Sequence, residues 1–249
     1  MHILVTNDDG YLSPGLASLA IAMQEFGTVS VVAPQVDMSG SGSCITLDKP
    51  LRVGKAESGF FFVNGTPVDC VHLAITALFK DKPDIVVSGI NNGKNIAQDV
   101  HYSGTVSAAM EGYMHGIPSI AFSLDSNKFN NLPTALHVVK TVVRGLIKQP
   151  FSNIPFLNVN IPNVELKNFC GLSESKLGKR APAFPAISIK SPKGEKVYWV
   201  GAAGEVSNVL PGTDFHALVN NFASITPLTT DMSKESSLEE LEFWIEKIS

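Results

Sequence analysis

Met1-His2-Ile3-Leu4-Val5-Thr6-Asn7-Asp8-Asp9-Gly10 opens the chain and decides how the rest is read. Ile3-Leu4-Val5 is an apolar run that fits a buried strand, and it is followed closely by two adjacent carboxylates. In an open α/β sheet, ligands bind beyond the carboxyl ends of the strands. Two neighbouring acids at such an end repel each other and lose hydration unless positive charge lies between them. Oxygen-rich clusters of this kind suit hard cations such as Mg²⁺ or Mn²⁺. Asn-Asp-Asp-Gly is also good turn chemistry, so this segment by itself leaves a metal site and a plain polar turn equally open.

Working outward, Pro14 stands where a helix can begin, and Leu16, Leu19, Ala20 and Met23 recur at helical spacing until Gly27. A β-branched run over residues 29–33 ends at Pro34, which completes a βαβ unit and predicts a parallel pair with a right-handed crossover. Residues 35–43 contain Ser39-Gly40-Ser41-Gly42-Ser43 and read as a loop. Short strands are expected over residues 45–47, 51–53 and 60–63, then a helix over 66–79 and a buried strand over 84–89. A small-residue helix over 103–115, a strand over 119–123, a helix over 132–148 and a strand over 156–160 follow. This alternation predicts an α/β, doubly wound, mainly parallel sheet formed by a core of about residues 1–170.

Beyond Cys170 the sequence is rich in Pro, Lys and Gly, with strand-like pieces over 186–190, 196–201 and 222–226. No helix is expected there until the acidic amphipathic tail, 237–247. The whole chain, 1–249, reads as a single domain in which residues 171–249 form an extended hairpin and C-terminal segment. Hairpins that leave a main sheet commonly pack on another subunit, so an oligomer is expected.

A formal net charge of −4 argues against nucleic acid as an obligatory partner, which wants a basic face. No apolar stretch approaches the roughly 18 residues of a membrane span, and Met1 leads directly into the first strand. Cys44, Cys70 and Cys170 are widely spaced and odd in number, which fits reduced thiols in the cytoplasm better than a disulfide frame or zinc site. The expectation is a cytoplasmic protein with no membrane partner.

Four loops fall at strand ends on one side of the expected sheet. The first holds Asp8 and Asp9; the second, Asp37-Met38-Ser39-Gly40, offers a hydroxyl and glycines that let backbone N–H groups approach an anion. The third, Ser88-Gly89-Ile90-Asn91-Asn92-Gly93-Lys94-Asn95, supplies neutral oxygen ligands and amide donors without further negative charge. The fourth, His101-Tyr102-Ser103-Gly104-Thr105-Val106, opens a helix whose N-terminus offers free N–H groups to a phosphate. Each loop also has a bland reading, as a mobile polar segment, a run of Asx turns or a simple N-cap by Ser103.

Other chemistries fit less well. There is no P-loop, no Gly-rich dinucleotide fingerprint after the first strand and no nucleophile elbow at the serine-rich loop. A covalent-aspartate phosphatase usually separates its two acids by one residue, whereas here they adjoin. His101 and His216 are secondary acid–base candidates, and His72, within the apolar helix, reads as structural. Lys176, Lys179 and Arg180 either draw an anionic substrate toward the site or form a solvated loop. A non-catalytic nucleotide or metal sensor acting through its oligomer is the rival from another functional class.

Taken together, these segments resemble the SurE (survival protein E) nucleotidases. The matching stretches are Ile3-Leu4-Val5-Thr6-Asn7-Asp8-Asp9-Gly10, Val32-Ala33-Pro34 with Ser39-Gly40, Asn64-Gly65-Thr66-Pro67-Val68-Asp69-Cys70 and Pro83-Asp84-Ile85-Val86-Val87-Ser88-Gly89-Ile90-Asn91. Asn95, Tyr102-Ser103-Gly104-Thr105-Val106-Ser107-Ala108-Ala109-Met110-Glu111-Gly112, Thr213-Asp214 and Ser224-Ile225-Thr226-Pro227-Leu228 complete the likeness. The resemblance implies a Rossmann-like core with a C-terminal β-hairpin exchanged in a homodimer or homotetramer. It implies that Asp8, Asp9, Ser39 and Asn91 hold one divalent metal ion per subunit, Mg²⁺ or Mn²⁺, with Asp8 and Asp9 catalytic. It implies phosphate binding by Asn95, Ser103, Gly104 and Thr105, and hydrolysis of nucleoside 5′-monophosphates, with 3′-monophosphates and short polyphosphate as further substrates. Asn92, Lys94 and the Asn221-Phe222 pair depart from the family pattern.

Overall fold

A computed structural model describes residues 1–126, 128, 130–207, 209–233 and 237–248 of the chain. Its first half runs β1 (His2–Thr6), α1 (Pro14–Met23), β2 (Thr28–Pro34), β3 (Val53–Lys55), β4 (Phe61–Val63), α2 (Pro67–Leu73), β5 (Ile85–Asn92) and α3 (Gly104–Met114). Then follow β6 (Ser119–Leu124), α4 (Leu132–Lys148), β7 (Phe156–Ile161), β8 (Gly171–Glu174), β9 (Ile187–Lys190), β10 (Lys196–Trp199), α5 (Asp214–Val219), β11 (Phe222–Pro227) and α6 (Leu238–Ile248). A π-helical turn, Ala74–Leu78, prolongs α2, and a 3₁₀ turn, Ala97–His101, precedes α3.

The main sheet has nine strands in the order β3-β4-β2-β1-β5-β6-β7-β11-β8. Strands β4, β2, β1, β5, β6 and β7 are mutually parallel, while β3 and β11 run against their neighbours β4 and β7. The chain goes from β1 to β2 on one edge, and β5 pairs on β1's other edge. The β1–β5 boundary is therefore the topological switch point of a Rossmann-like sheet, where a crevice opens beyond the strand ends.

Side-chain alternation along β1 explains the two faces. Ile3 and Val5 join Leu16, Leu19 and Met23 of α1 and Val138, Val139 and Val142 of α4 in one buried cluster. Leu4 points the other way, into a cluster with Cys70 and Val71 of α2 and Ala108 of α3. In α4, Ala135, Val138, Val139, Val142 and Val143 are buried at three- and four-residue spacing, the stripe by which a surface helix docks on a sheet.

The departures from expectation have local causes. Residues 45–47 form no strand, because the Thr46 N–H and hydroxyl go to the two oxygens of Asp69 (2.9 and 2.6 Å) rather than to a strand partner. The second short strand lies over Val53–Lys55 rather than 51–53. A helix does intervene between Cys170 and the tail: α5 is six residues long, too short to show a periodicity, and Thr213 caps it by accepting from the His216 N–H (3.3 Å). The main sheet also takes in β8 and β11 from beyond residue 170, and β11 lies between β7 and β8. The β9–β10 hairpin forms a separate two-stranded antiparallel sheet, with Ile187, Tyr198, Trp199 and Val200 exposed.

Candidate metal and phosphate site

The loops that follow β1, β2 and β5 converge with the N-terminus of α3 at the switch point. Asp8, Ser39, Gly40, Asn91, Asn92, Lys94, Asn95, Asp99, Tyr102 and Ser103 line a cavity of about 350 Å³ there. Five of the expected site residues are thus brought to one cavity: Asp8, Ser39, Asn91, Asn95 and Ser103. Asp9 sits beside Asp8 and half-buried, while Gly104 and Thr105 lie behind Asp8 in the first turn of α3.

Backbone bonds fasten the loops to one another. The Met38 N–H donates to the Asp8 carbonyl (2.8 Å), and the Gly42 N–H donates to the Tyr102 carbonyl (3.1 Å). The Asn7 amide donates to the Gly10 carbonyl (3.0 Å), closing the turn that carries the two acids. Ser39 is exposed and is held by Asp37, whose Oδ1 accepts from both the Ser39 N–H and hydroxyl (2.8 and 2.6 Å). That bond uses the Ser39 proton and leaves its oxygen lone pairs for a cation.

Asn91 reaches the site through an irregularity in β5. The register against β6 shifts between Ser88 and Asn91, the Gly89–Ile90 peptide is cis, and Gly89 has φ +131°. A Cβ at Gly89 would lie 2.3 Å from the Phe122 carbonyl oxygen, so only glycine lets the strand bend here. The Asn91 amide nitrogen donates to the Gly93 carbonyl (2.8 Å), which leaves Oδ1 as the end available to accept.

Asp8 is almost fully buried and is docked on α3. The Thr105 hydroxyl donates to Asp8 Oδ1, and the Thr105 backbone amide bonds the same carboxylate. Gly104 allows the contact, since a Cβ there would lie 2.7 Å from Asp8 Cβ. Burial raises the Asp8 carboxyl above its ordinary range, and the bonds from Thr105 pull it partly back. Burial first, and the neighbouring Asp8 charge second, push Asp9 up to about 7. Asp9 Oδ2 is buried without a hydrogen-bond partner. An orphaned carboxylate oxygen next to a second buried acid, faced by the neutral oxygens of Ser39 and Asn91, is a donor set that fits a hard divalent cation.

The anion side is built differently. Asn95 is buried and fixed on all its backbone atoms: its N–H donates to Asn160 Oδ1 (2.8 Å), and its carbonyl accepts from Asn158 and Asn160 Nδ2 (2.8 and 2.9 Å). Its side-chain nitrogen donates one proton to Ser123 Oγ (2.8 Å), leaving the second for a ligand. Ser103 caps α3, accepting from the Val106 N–H (3.1 Å), and retains its own hydroxyl proton. Lys94 brings positive charge to the rim, shared with Asp125 at 2.9 Å.

Several residues stand elsewhere than expected. Arg180 does not face solvent: it makes a two-pronged ion pair with Asp99 (2.9 and 2.7 Å) and donates to the Gly204 carbonyl. His101 is exposed and outside the cavity lining. Asp214, next to His216 in sequence, is fully buried and accepts from the N–H groups of Ala97, Gly178 and Phe215, a knot that ties α5 to the turn before α3. His72 lies in α2 as expected, and there it is partly exposed and bonds Glu111. Asn158 and Asn160 lie outside the expected set, and their signal was two asparagines at alternate positions of an apolar strand, both pointing to one face.

Comparisons with known proteins place the chain in a family. Residues 3–183 match the family described as Survival protein SurE. A curated relative, the 5′-nucleotidase SurE of Nitrosomonas eutropha, is 47% identical over 98% of this chain and 99% of its own length. The crystal structure of a SurE protein from Aquifex aeolicus superposes with a TM-score of 0.85 at 39% identity, covering 98% of this chain and 99% of that one.

Proposed function

Because this chain belongs to the SurE family, we propose that it is a metal-dependent phosphomonoesterase that hydrolyses nucleoside 5′-monophosphates to nucleoside and phosphate. The observation that carries the reading is the gathering of Asp8, Ser39 and Asn91 with Asn95 and Ser103 on a single cavity, with the orphaned Asp9 Oδ2 on the neighbouring residue. Asp8, Asp9, Ser39 and Asn91 would hold one divalent cation per subunit, Mg²⁺ or Mn²⁺. When bound, such an ion supplies Lewis acidity and lowers the pKa of water.

The chain's own groups do the rest. The free amide proton of Asn95, the Ser103 hydroxyl and the Gly104 N–H at the start of α3 bind the phosphoryl oxygens and stabilise charge as it builds, while Thr105 spends its hydroxyl and its N–H on Asp8. The locked backbone of Asn95 keeps that donor in place without reorganisation. Asp8 is committed to Thr105, so Asp9 is the carboxylate that takes the proton from the attacking water. Tyr102, largely exposed at the rim, offers a ring face to a base. Nucleoside 3′-monophosphates and short polyphosphate present the same terminal phosphate to this wall.

Residues 1–249 form one domain in this reading, and the exposed apolar side chains of the β9–β10 hairpin are covered in a homodimer or homotetramer. Among the described residues no helix is long and apolar enough to cross a membrane, and a cytoplasmic location fits the three cysteines, none of them in a disulfide. The test is phosphate release from a panel of purine and pyrimidine monophosphates, with and without EDTA. Release that stops with EDTA and returns with Mg²⁺ or Mn²⁺ supports the reading; release indifferent to EDTA, or none from any monophosphate, overturns it.

A further inference from the structure

Two imidazoles and a carboxylate meet at the far ends of α2 and α3. Glu111 is buried, and its Oε1 lies 2.8 Å from His72 Nδ1 and 3.1 Å from His115 Nε2. The three donor atoms fall within 4.8 Å of one another, and the two rings stand edge to face at 5.4 Å. His72 comes from the last turn of α2, Glu111 from the last turn of α3, and His115 is the C-cap of α3. Both imidazoles keep part of their surface in solvent, at 41% and 24% exposure, so an ion has a path in.

We propose that His72, Glu111 and His115 form a second metal site, for a borderline transition ion of the Zn²⁺ class, that clamps α2 to α3. The site is separate from the Asp8–Asp9 cluster. Gly104 packs against Asp8, and Glu111 lies seven residues further along α3, about 10 Å at the rise of an α-helix.

The donor set distinguishes the ions. Two imidazole nitrogens and one carboxylate suit Zn²⁺, Co²⁺ or Ni²⁺, whereas the all-oxygen set at Asp8 and Asp9 suits Mg²⁺ or Mn²⁺. Tetrahedral Zn²⁺ with nitrogen and oxygen ligands at about 2.0–2.1 Å spaces those ligands about 3.3 Å apart. Spacings of 2.8 and 3.1 Å therefore open by a few tenths of an ångström, and the two imidazole nitrogens, within 4.8 Å of each other, adjust to the same separation. Without metal, each ring N–H donates to Glu111 Oε1; with metal, each ring carries its proton on the other nitrogen and gives the freed lone pair to the ion. Three protein ligands leave a fourth position for water. The two helices also share their other ends, where a Cβ at Gly104 would lie 3.0 Å from Pro67 Cγ. A clamp at the far ends thus fixes the pair that carries the phosphate-facing turn.

The test is metal binding by EDTA-stripped full-length protein, followed by equilibrium dialysis and thermal melting. The wild type in excess Mg²⁺, and an Asp9→Asn variant, should each take up one Zn²⁺ and melt higher with it, because an ion bound only to the folded state stabilises that state. His72→Gln and His115→Gln, checked for folding by circular dichroism, should weaken that uptake at least tenfold. Co²⁺ should give the intense visible bands of a four-coordinate site, a readout that needs no variant. No Zn²⁺ on Asp9→Asn, unchanged affinity in His72→Gln, or only weak octahedral Co²⁺ bands overturns the proposal. None of these readouts depends on phosphatase activity, so the proposal and the functional reading fail independently.

Discussion

Thr105 donates its hydroxyl to Asp8 Oδ1, joining the first turn of α3 to the loop after β1 across most of the N-terminal half of the chain. The bond is buried, and it orients the carboxylate before any cation arrives. Support of this kind behind a ligand typically accounts for 10- to 100-fold in metal affinity, about 1.4–2.7 kcal/mol. Thr105→Val keeps the shape and removes the hydroxyl. The expected result is a rise of about 10- to 100-fold in the metal concentration needed for half-maximal activity, read from Mg²⁺ and Mn²⁺ titrations. An unchanged titration contradicts the supporting role.

Asp9→Asn removes the charge and the proton acceptor but not the volume. Turnover should fall by at least about 10²-fold under metal-replete conditions, with the far-UV circular dichroism unchanged. Melting of the metal-free variant at neutral pH should be equal to or higher than that of the wild type, because a buried acid crowded by Asp8 opposes folding once ionised. Full turnover by this variant would exclude Asp9 from the chemistry.

The same acid sets a pH dependence. In the folded, metal-free protein Asp9 titrates at about 7, whereas an unfolded carboxyl titrates near 3.8. Between those values the folded state holds a proton that the unfolded state has lost, so stability falls as pH rises. The burial-driven upward shift of Asp8 has the same sign. Metal-free protein should therefore lose melting temperature between about pH 5 and about pH 7.5. The slope should be smaller in Asp9→Asn, and Mg²⁺ or Mn²⁺ should oppose the loss. A wild-type slope no steeper than that of Asp9→Asn contradicts the assignment.

Asn160→Ala strips Asn95 of both its backbone acceptor and one of two donors to its carbonyl. A buried N–H left without a partner costs about 1–3 kcal/mol, so a lower melting temperature is expected. Asn95 stands on the phosphate wall rather than among the metal donors, so the KM for substrate should rise while the metal requirement stays near that of the wild type. Steady-state kinetics at several metal concentrations separate the two effects.

The sheet and most of its helices were legible because their hydrophobic periods are local. Ile3, Leu4 and Val5 alternate between two clusters as a buried strand must, and the α4 stripe repeats every three to four residues. The loops carrying Asp8, Ser39, Asn91, Asn95 and Ser103 were legible as strand-end and helix-start chemistry, and the structure gathers these residues on one cavity. What stayed hidden depends on pairing across long separations. Thr105 reads in sequence as a phosphate donor, but its hydroxyl is spent on Asp8. Arg180 reads as a loop cation, yet it is bound to Asp99. His72 reads as an apolar-helix residue, and only the packing of α2 on α3 brings Glu111 and His115 to it. Helix α5 offered six residues, too few for a period, and only its Thr213 cap marks it.

The position of β11 has a consequence for how the protein is made. Ser224, Ile225, Thr226 and Pro227 pair with Asn160, Val159, Asn158 and Leu157, so β11 closes the edge of the strand that immobilises Asn95. While the ribosome still holds residues 222–227, that edge of β7 presents open N–H and C=O groups to solvent and to other nascent chains. Assembly of the Asn95 support is thus finished only after residues 222–227 have been made, and a release of chains truncated before them yields sticky sheet edges rather than slow enzymes.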